Sequence, residues 1–321
     1  MGKLRCFFCL MIIGSTASGQ QQGSFSSATL YNPLRQVGWM PNESGSHVFA
    51  LHRSQWLGFQ NSFSDPSSAP VTDLVSFVTE INSSPLGYTG LQLRRDKLGA
   101  ITNTSISWLG GLRFSLKRAT WAVGLQPTII FQNLNSDLLR SIQSNDPVLN
   151  GLVSENDVRD TRYDLNFGTS LVGRKYKIGI GVSNLLNSKS TFTSDSVTNV
   201  TKSLFSLNFG VTKKLAYRLN FIPEIAIRTD MSSFSGEVNA LFQYKSDYYL
   251  AASYKHLEGV TLAFSMAVGE NKLIRFGTAF DLVAFNTRGK AFLSSEFFIK
   301  YGLPNIKIGS KKPVKTPRHP S

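Results

Sequence analysis

Hydrophobic and polar residues alternate one by one along most of this chain, most clearly from Arg162 to Leu186. There Tyr163, Leu165, Phe167 and Leu171 alternate with Asp164, Asn166, Gly168 and Ser170. Beyond a turn at Gly173 and Arg174, Ile178, Ile180 and Val182 alternate with Gly179, Gly181 and Ser183. A period of two puts each set on one face of a strand. The unit recurs and predicts fourteen strands, at about 48–59, 71–82, 87–95, 100–116, 120–133, 161–172, 175–184, 202–213, 216–228, 234–245, 248–256, 260–269, 272–283 and 289–301.

The connections sort by parity. Those after even-numbered strands are short, as at Leu116 to Thr120, Lys213 to Ala216 and Gly269 to Lys272, whereas Gln60 to Pro70, Leu134 to Asp160 and Leu185 to Thr201 follow odd-numbered ones. A soluble sandwich has no cause to segregate its loops. An outer-membrane barrel does, with short periplasmic turns at one end and longer extracellular loops at the other. The fold expected is therefore all-β, a transmembrane antiparallel up-and-down barrel of about 14 strands, with both termini on the short-turn, periplasmic side.

The faces fit a barrel. Phe205, Leu207, Phe209 and Val211 oppose Ser206, Asn208 and Gly210, so the apolar face meets lipid and the polar one lines the lumen. Asp164, Arg218, Glu224, Arg228, Glu237, Arg275, Asp281, Glu296 and Lys300 are expected there, with both signs present to pair. Trp39, Trp121, Tyr217, Tyr248 and Tyr301 are candidates for interfacial girdles. The first strand is ambiguous, because Phe49 and Leu51 share a parity with Arg53, which suits a bulge or a partly buried strand.

Mean hydropathy is −0.07, which argues against a helical membrane protein but not against a barrel. Lys3 and Arg5, the apolar run Phe7 to Ile13 and the small residues Ala17, Ser18 and Gly19 read as a signal peptide over 1–19. Both cysteines, Cys6 and Cys9, leave with it. The remaining organisation is a periplasmic or lumenal segment at 20–47, the barrel at 48–301 and a basic, proline-containing periplasmic tail at 302–321. The formal net charge is +14, two fewer without Lys3 and Arg5. In an exported chain that charge points to lipid or an acidic partner, not to nucleic acid.

Much of the charge falls on the short turns, at Lys117, Arg118, Arg174, Lys175, Lys213 and Lys214, and continues in the tail at Lys311, Lys312 and Lys315. Such a rim could hold anionic headgroups or dock an acidic periplasmic partner. Catalytic signals are scarce. His47, His52, His256 and His319 are scattered without metal-ligand spacing. His256 with Asp247 is the one pairing a barrel hydrolase could use, and no GxSxG motif accompanies it. The glycine-rich GIGVSN of Gly179 to Asn184 lies inside a strand, so it has no phosphate-binding geometry. No enzyme activity, cofactor or metal is expected.

Several stretches resemble the PorP/SprF family of type IX secretion system outer-membrane proteins from Bacteroidetes-type bacteria. They are QQQGSFSSATLYNP, HRSQWLGF, RRDKLGAITNTSISW, YDLNFGTSLVGRKYKIGIGVSNLLNSK and the closing hairpins ending FFIKYGLP, together about Gln20 to Pro304. The chain departs from the family after Asn32-Pro33 and in its extra tail from Asn305. The resemblance implies a non-enzymatic barrel serving secretion or surface display of cargo, gliding adhesins included, with partners among the periplasmic ring components or the secreted cargo. It also marks Arg53, Trp56 and Gly58 of HRSQWLGF as a candidate partner-binding motif. A general diffusion channel is the alternative.

Overall fold

The computed structural model describes residues 24–43, 45–59, 69–81, 86–135, 158–191, 198–284, 291–303 and 307–308. Fourteen strands form the wall: β1 (Ser46–Ser54), β2 (Val71–Ile81), β3 (Leu86–Leu98), β4 (Ile101–Ser115), β5 (Ala119–Leu134), β6 (Val158–Gly173), β7 (Tyr176–Ser183), β8 (Leu204–Val211), β9 (Leu219–Thr229), β10 (Phe234–Tyr244), β11 (Tyr248–Lys255), β12 (Gly259–Val268), β13 (Ile274–Val283) and β14 (Leu293–Leu303). Each is antiparallel to the next, and β1 pairs with both β2 and β14, so the sheet closes on itself. Closure leaves the wall no free edge along most of its length, which the bilayer demands of a spanning sheet.

Strand boundaries follow the alternation closely. The largest difference is at β1, which ends at Ser54 and not near 59. Trp56 (φ 56°) and Gly58 (φ 80°) turn the chain back on itself there, and the amide of Leu57 donates to the carbonyl of Leu293 at 2.7 Å. At the other end, β2 runs past the start of β1. Lys307–Ile308 pairs in parallel with Glu80 and Ile81, covering an edge that would otherwise be open.

The outward face is apolar. Leu91, Ile106, Phe131, Leu207 and Leu262 are exposed, while their strand neighbours Ser107, Ser206, Asn208 and Thr261 are buried in the lumen. Trp121, Tyr217, Tyr248 and Tyr301 are exposed near the short-turn end, as girdle residues should be. Trp39 is not among them: it is 3% exposed, inside the barrel. Arg218 also differs from expectation. It sits in a turn at φ 65° with its guanidinium 4.7 Å from the Tyr217 ring, outside the lumen.

What fills the lumen is the segment before β1. It makes three 3-10 turns, Ser26–Thr29, Asn32–Leu34 and Val37–Asn42. Ser24 lies at the long-loop end, where its carbonyl accepts from Arg53 at 2.7 Å, and the chain then descends to β1. Of the two placements expected for the segment before β1, periplasmic or lumenal, its described residues occupy the lumen. The descent also resolves β1. Phe49 and Leu51 face inward, in one apolar cluster with Phe25, Ala28, Tyr31, Leu74 and Phe298. They face in because the plug presents apolar side chains to them, each of which contributes about 1.5–3 kcal/mol when fully buried.

Candidate functional site

The plug is held in three layers. At the long-loop end Glu296 accepts from the amides of Ser26 and Ser27, each at 2.8 Å, and lies 3.4 Å from Arg53 Nε. The Ser26 hydroxyl donates to Asp281 and accepts from Lys255 Nζ at 2.7 Å. Two carboxylates on β13 and β14 thus meet two cations on β1 and β11, with plug hydroxyls and amides between them. Charge-assisted bonds of this kind are roughly twice as strong as neutral ones.

In the middle layer Arg35 reaches across to Glu224 at 3.6 Å and Glu237 at 3.7 Å. Lys177 joins Glu224 from the other side. Below this the backbone of the plug lies directly on the wall. A Cβ at Gly124 would stand 2.5 Å from the Val37 carbonyl oxygen, one at Gly111 2.6 Å from the Pro41 ring and one at Gly179 2.6 Å from the Trp39 indole. The glycines of β4 to β7 therefore form a track that only hydrogen side chains leave open. GIGVSN, which has no phosphate to bind, is part of it. Gln36 pins the segment there, accepting from Gly38 N at 2.7 Å and donating to the Thr169 carbonyl at 3.3 Å.

At the short-turn end Lys300 binds Glu43 at 2.5 Å, Arg113 donates to the Pro41 carbonyl at 3.2 Å, and Tyr31 stacks on Phe49 at 4.1 Å between ring centroids. Glu43 lies before the first strand. Burial opposes its ionisation, but Lys300, helped by His47 and Arg275, holds its carboxyl below the usual range.

The three residues of HRSQWLGF do not share one surface. Arg53 points into the lumen and holds the plug, whereas half-buried Trp56 and exposed Gly58 form the turn at the long-loop rim. The basic positions do gather. Lys117, Arg118, Arg174, Lys175, Lys213 and Lys214 are all exposed on short turns at one end of the barrel. Lys307–Ile308 brings the chain to that same end. Lys311, Lys312 and Lys315 lie outside the described residues.

The hydrolase pairing does not form. Asp247 bonds Lys272 at 2.6 Å at the short-turn end, while His256 follows the far end of β11. A strand of that length separates them by roughly 25–30 Å. No group of three or more metal-ligating side chains occurs among the described residues. Sequence reasoning missed the plug side of the site, namely Arg35, Gln36 and Glu43, because no period marks which wall a 3-10 segment touches. The one available signal was the excess of glycine on the inward face of β4 to β7.

A closed, lipid-faced, fourteen-strand wall around a plug defines an outer-membrane β-barrel. Solved structures agree on the fold: the CymD monoaromatic hydrocarbon channel (TM-score 0.50, 10% identity, 88% of this chain and 95% of that one) and the toluene transporter TbuX of Ralstonia pickettii (TM-score 0.50, 9% identity, 87% and 95%). No curated protein matches the chain. The profile of the type IX secretion system membrane protein PorP/SprF matches residues 25–301, and the chain belongs to that family.

Proposed function

We propose that this protein is a non-catalytic accessory or anchoring component of type IX secretion that resides in the outer membrane after removal of residues 1–19, and that it supports secretion or surface display of a cargo protein. The observation that carries the proposal is membership of the family over residues 25–301. The lumen adds to it. An interior tied to its own chain by Glu296, Arg35 and Glu43 supports an anchoring role over an open diffusion pore. The basic rim faces the periplasm in this reading and offers an acidic ring component or a lipid headgroup complementary charge.

A general diffusion channel is the competing reading, and the two transport proteins of like fold share too little sequence to favour it. The experiment is affinity purification of the tagged protein from native outer membranes in mild detergent, with identification of everything retained. Recovery of a type IX ring component or a large secreted protein is expected. The barrel alone, under detergent conditions that preserve known complexes, together with conductance from the isolated protein, would replace this reading with the channel.

A further inference from the structure

Most charges in the lumen are matched, but Arg228 on β9 is not. It makes no hydrogen bond and no ion pair with any described residue. Directly across on the neighbouring strands stand Ser206 and Ser235, which carry no charge. Glu237 and Glu258 act on it electrostatically without forming an ion pair with it, and Glu237 is already engaged by Arg35 at 3.7 Å.

Arg228 lines a cavity of about 120 Å³ between the plug and the wall, toward the long-loop end, together with Arg35, Arg94, Gln126, Ser206 and Asn208. Glu237 also reaches it. Arg94 is paired with Asp96 at 2.7 Å and Arg35 with Glu224 and Glu237, so Arg228 is the cation lining the cavity that has no ion-pair partner among the described residues. Two further polar atoms, Arg35 Nε and Asn208 Oδ1, are buried without partners. The Asn208 amide can be turned either way, so its Nδ2 can be a third donor. A half-buried guanidinium without an ion-pair partner, beside unused polar atoms, can make charge-assisted bonds to an anion. The volume equals the share of about four waters, room for one small anion with residual solvent.

We propose that this cavity binds a small oxyanion, a phosphate or a carboxylate, with Arg228 as its charged partner and Arg35 and Asn208 as further donors. The bound anion bridges the plug, through Arg35, to the wall, through Arg228 and Asn208. Occupancy therefore tightens the plugged state. This inference does not depend on the secretion role.

The test uses the full-length barrel folded in detergent, with inorganic phosphate as the probe at constant ionic strength, read by phosphorus NMR line broadening and by the thermal midpoint of the heat-modifiable band. Saturable broadening and a rising midpoint are expected, with acetate as a competitor. Arg228→Gln should weaken phosphate binding about tenfold or more, and Arg228→Lys by less. If Arg228→Gln fails to fold, Asn208→Asp serves instead. Its carboxylate neutralises Arg228 from within the cavity, so phosphate binding should disappear while the barrel stays folded. Absence of saturable binding in the native protein, or unchanged binding in a folded Arg228→Gln or Asn208→Asp variant, would overturn the proposal.

Discussion

Gly38 of the plug and Gly168 of β6 touch backbone to backbone: a Cβ built on Gly38 would stand 2.4 Å from the Gly168 carbonyl carbon, and one on Gly168 2.8 Å from the Gly38 nitrogen. Two chain segments 130 positions apart in the sequence therefore leave each other no room for even a methyl group. The Gly38 carbonyl completes the contact by accepting from Ser170 Oγ at 2.6 Å.

Gly168→Ala and Gly124→Ala should each push the plug off its track. Overpacking of this kind costs about 1–3 kcal/mol. The thermal midpoint of the folded band should fall and limited proteolysis should reach residues 36–41. Gly302→Ala is the control, since its Cβ would meet nothing nearer than 3.5 Å. If all three variants behave alike, the track is not what constrains the plug.

Glu224 is 4% exposed and holds two cations, Arg35 and Lys177. Removing one member of a buried ionic set costs about 3–5 kcal/mol, because its partners stay buried and unpaired. Glu224→Gln should therefore destabilise the barrel more than Arg35→Gln, which leaves Glu224 its Lys177 partner, and the double variant should lose less than the two single losses added. A double-mutant cycle on the unfolding midpoint gives the coupling. A coupling of zero would mean that the pair is not formed.

HRSQWLGF should divide in two. Arg53→Ala leaves Glu296 without its cation and should lower barrel stability by an amount like that at Glu224. Trp56→Ala removes a half-buried ring 5.8 Å from Phe59 and should leave the barrel folded. If cargo display falls in Trp56→Ala at normal barrel levels, the rim turn is the functional half of the motif. Equal loss of barrel in both variants would make the whole stretch structural.

The link between Lys300 and Glu43 has a definite pH sign. The folded carboxyl titrates below its unfolded value, so its contribution is complete above the ordinary carboxylate pKa and is lost as pH falls through the depressed one. Protease protection of residues 36–43 should be flat from neutral pH down to about pH 4.3 and decline in stronger acid. Glu43→Gln should remove that decline. A decline that persists in Glu43→Gln would assign it to another group.

Neutralising Lys117, Arg118, Arg174, Lys175, Lys213 and Lys214 to Gln, together with deletion of 305–321, should leave a heat-modifiable barrel and weaken recovery of its periplasmic partner. Co-purification at native levels would remove the rim from the docking surface. Charge on exposed turns contributes little to folding, so the two readouts separate cleanly.

The wall was legible because every second position of a spanning strand meets lipid, and lipid tolerates no ambiguity. β10, at Phe234–Tyr244, falls within one residue of the range its alternation predicts. A lumenal place for the segment before β1 was one of two alternatives the sequence offered, but the plug's path and anchors were not legible. Its backbone follows no period of two, its anchors are single residues such as Gln36, and its partners lie far away in sequence. Trp39 shows the difficulty: an aromatic just before a strand reads equally as a girdle residue or a lumen residue, and only Gly179 on the opposite wall decides. Strand β1 is ambiguous for the same reason, and of its two readings the partly buried strand holds, since its inner face is apolar where it meets Tyr31 and Phe25.

The plug directly precedes β1 in sequence, and β1 is the strand whose pairing with β14 shuts the ring. Tyr31, Phe49 and Phe298 meet on the inner side of that joint. Closure of the sheet and occupation of its interior are consequently coupled in the folded barrel, since both rest on the same three rings. Withdrawal of the plug would leave β1 with a bare apolar inner face, so opening the lumen and loosening the seam carry one shared cost.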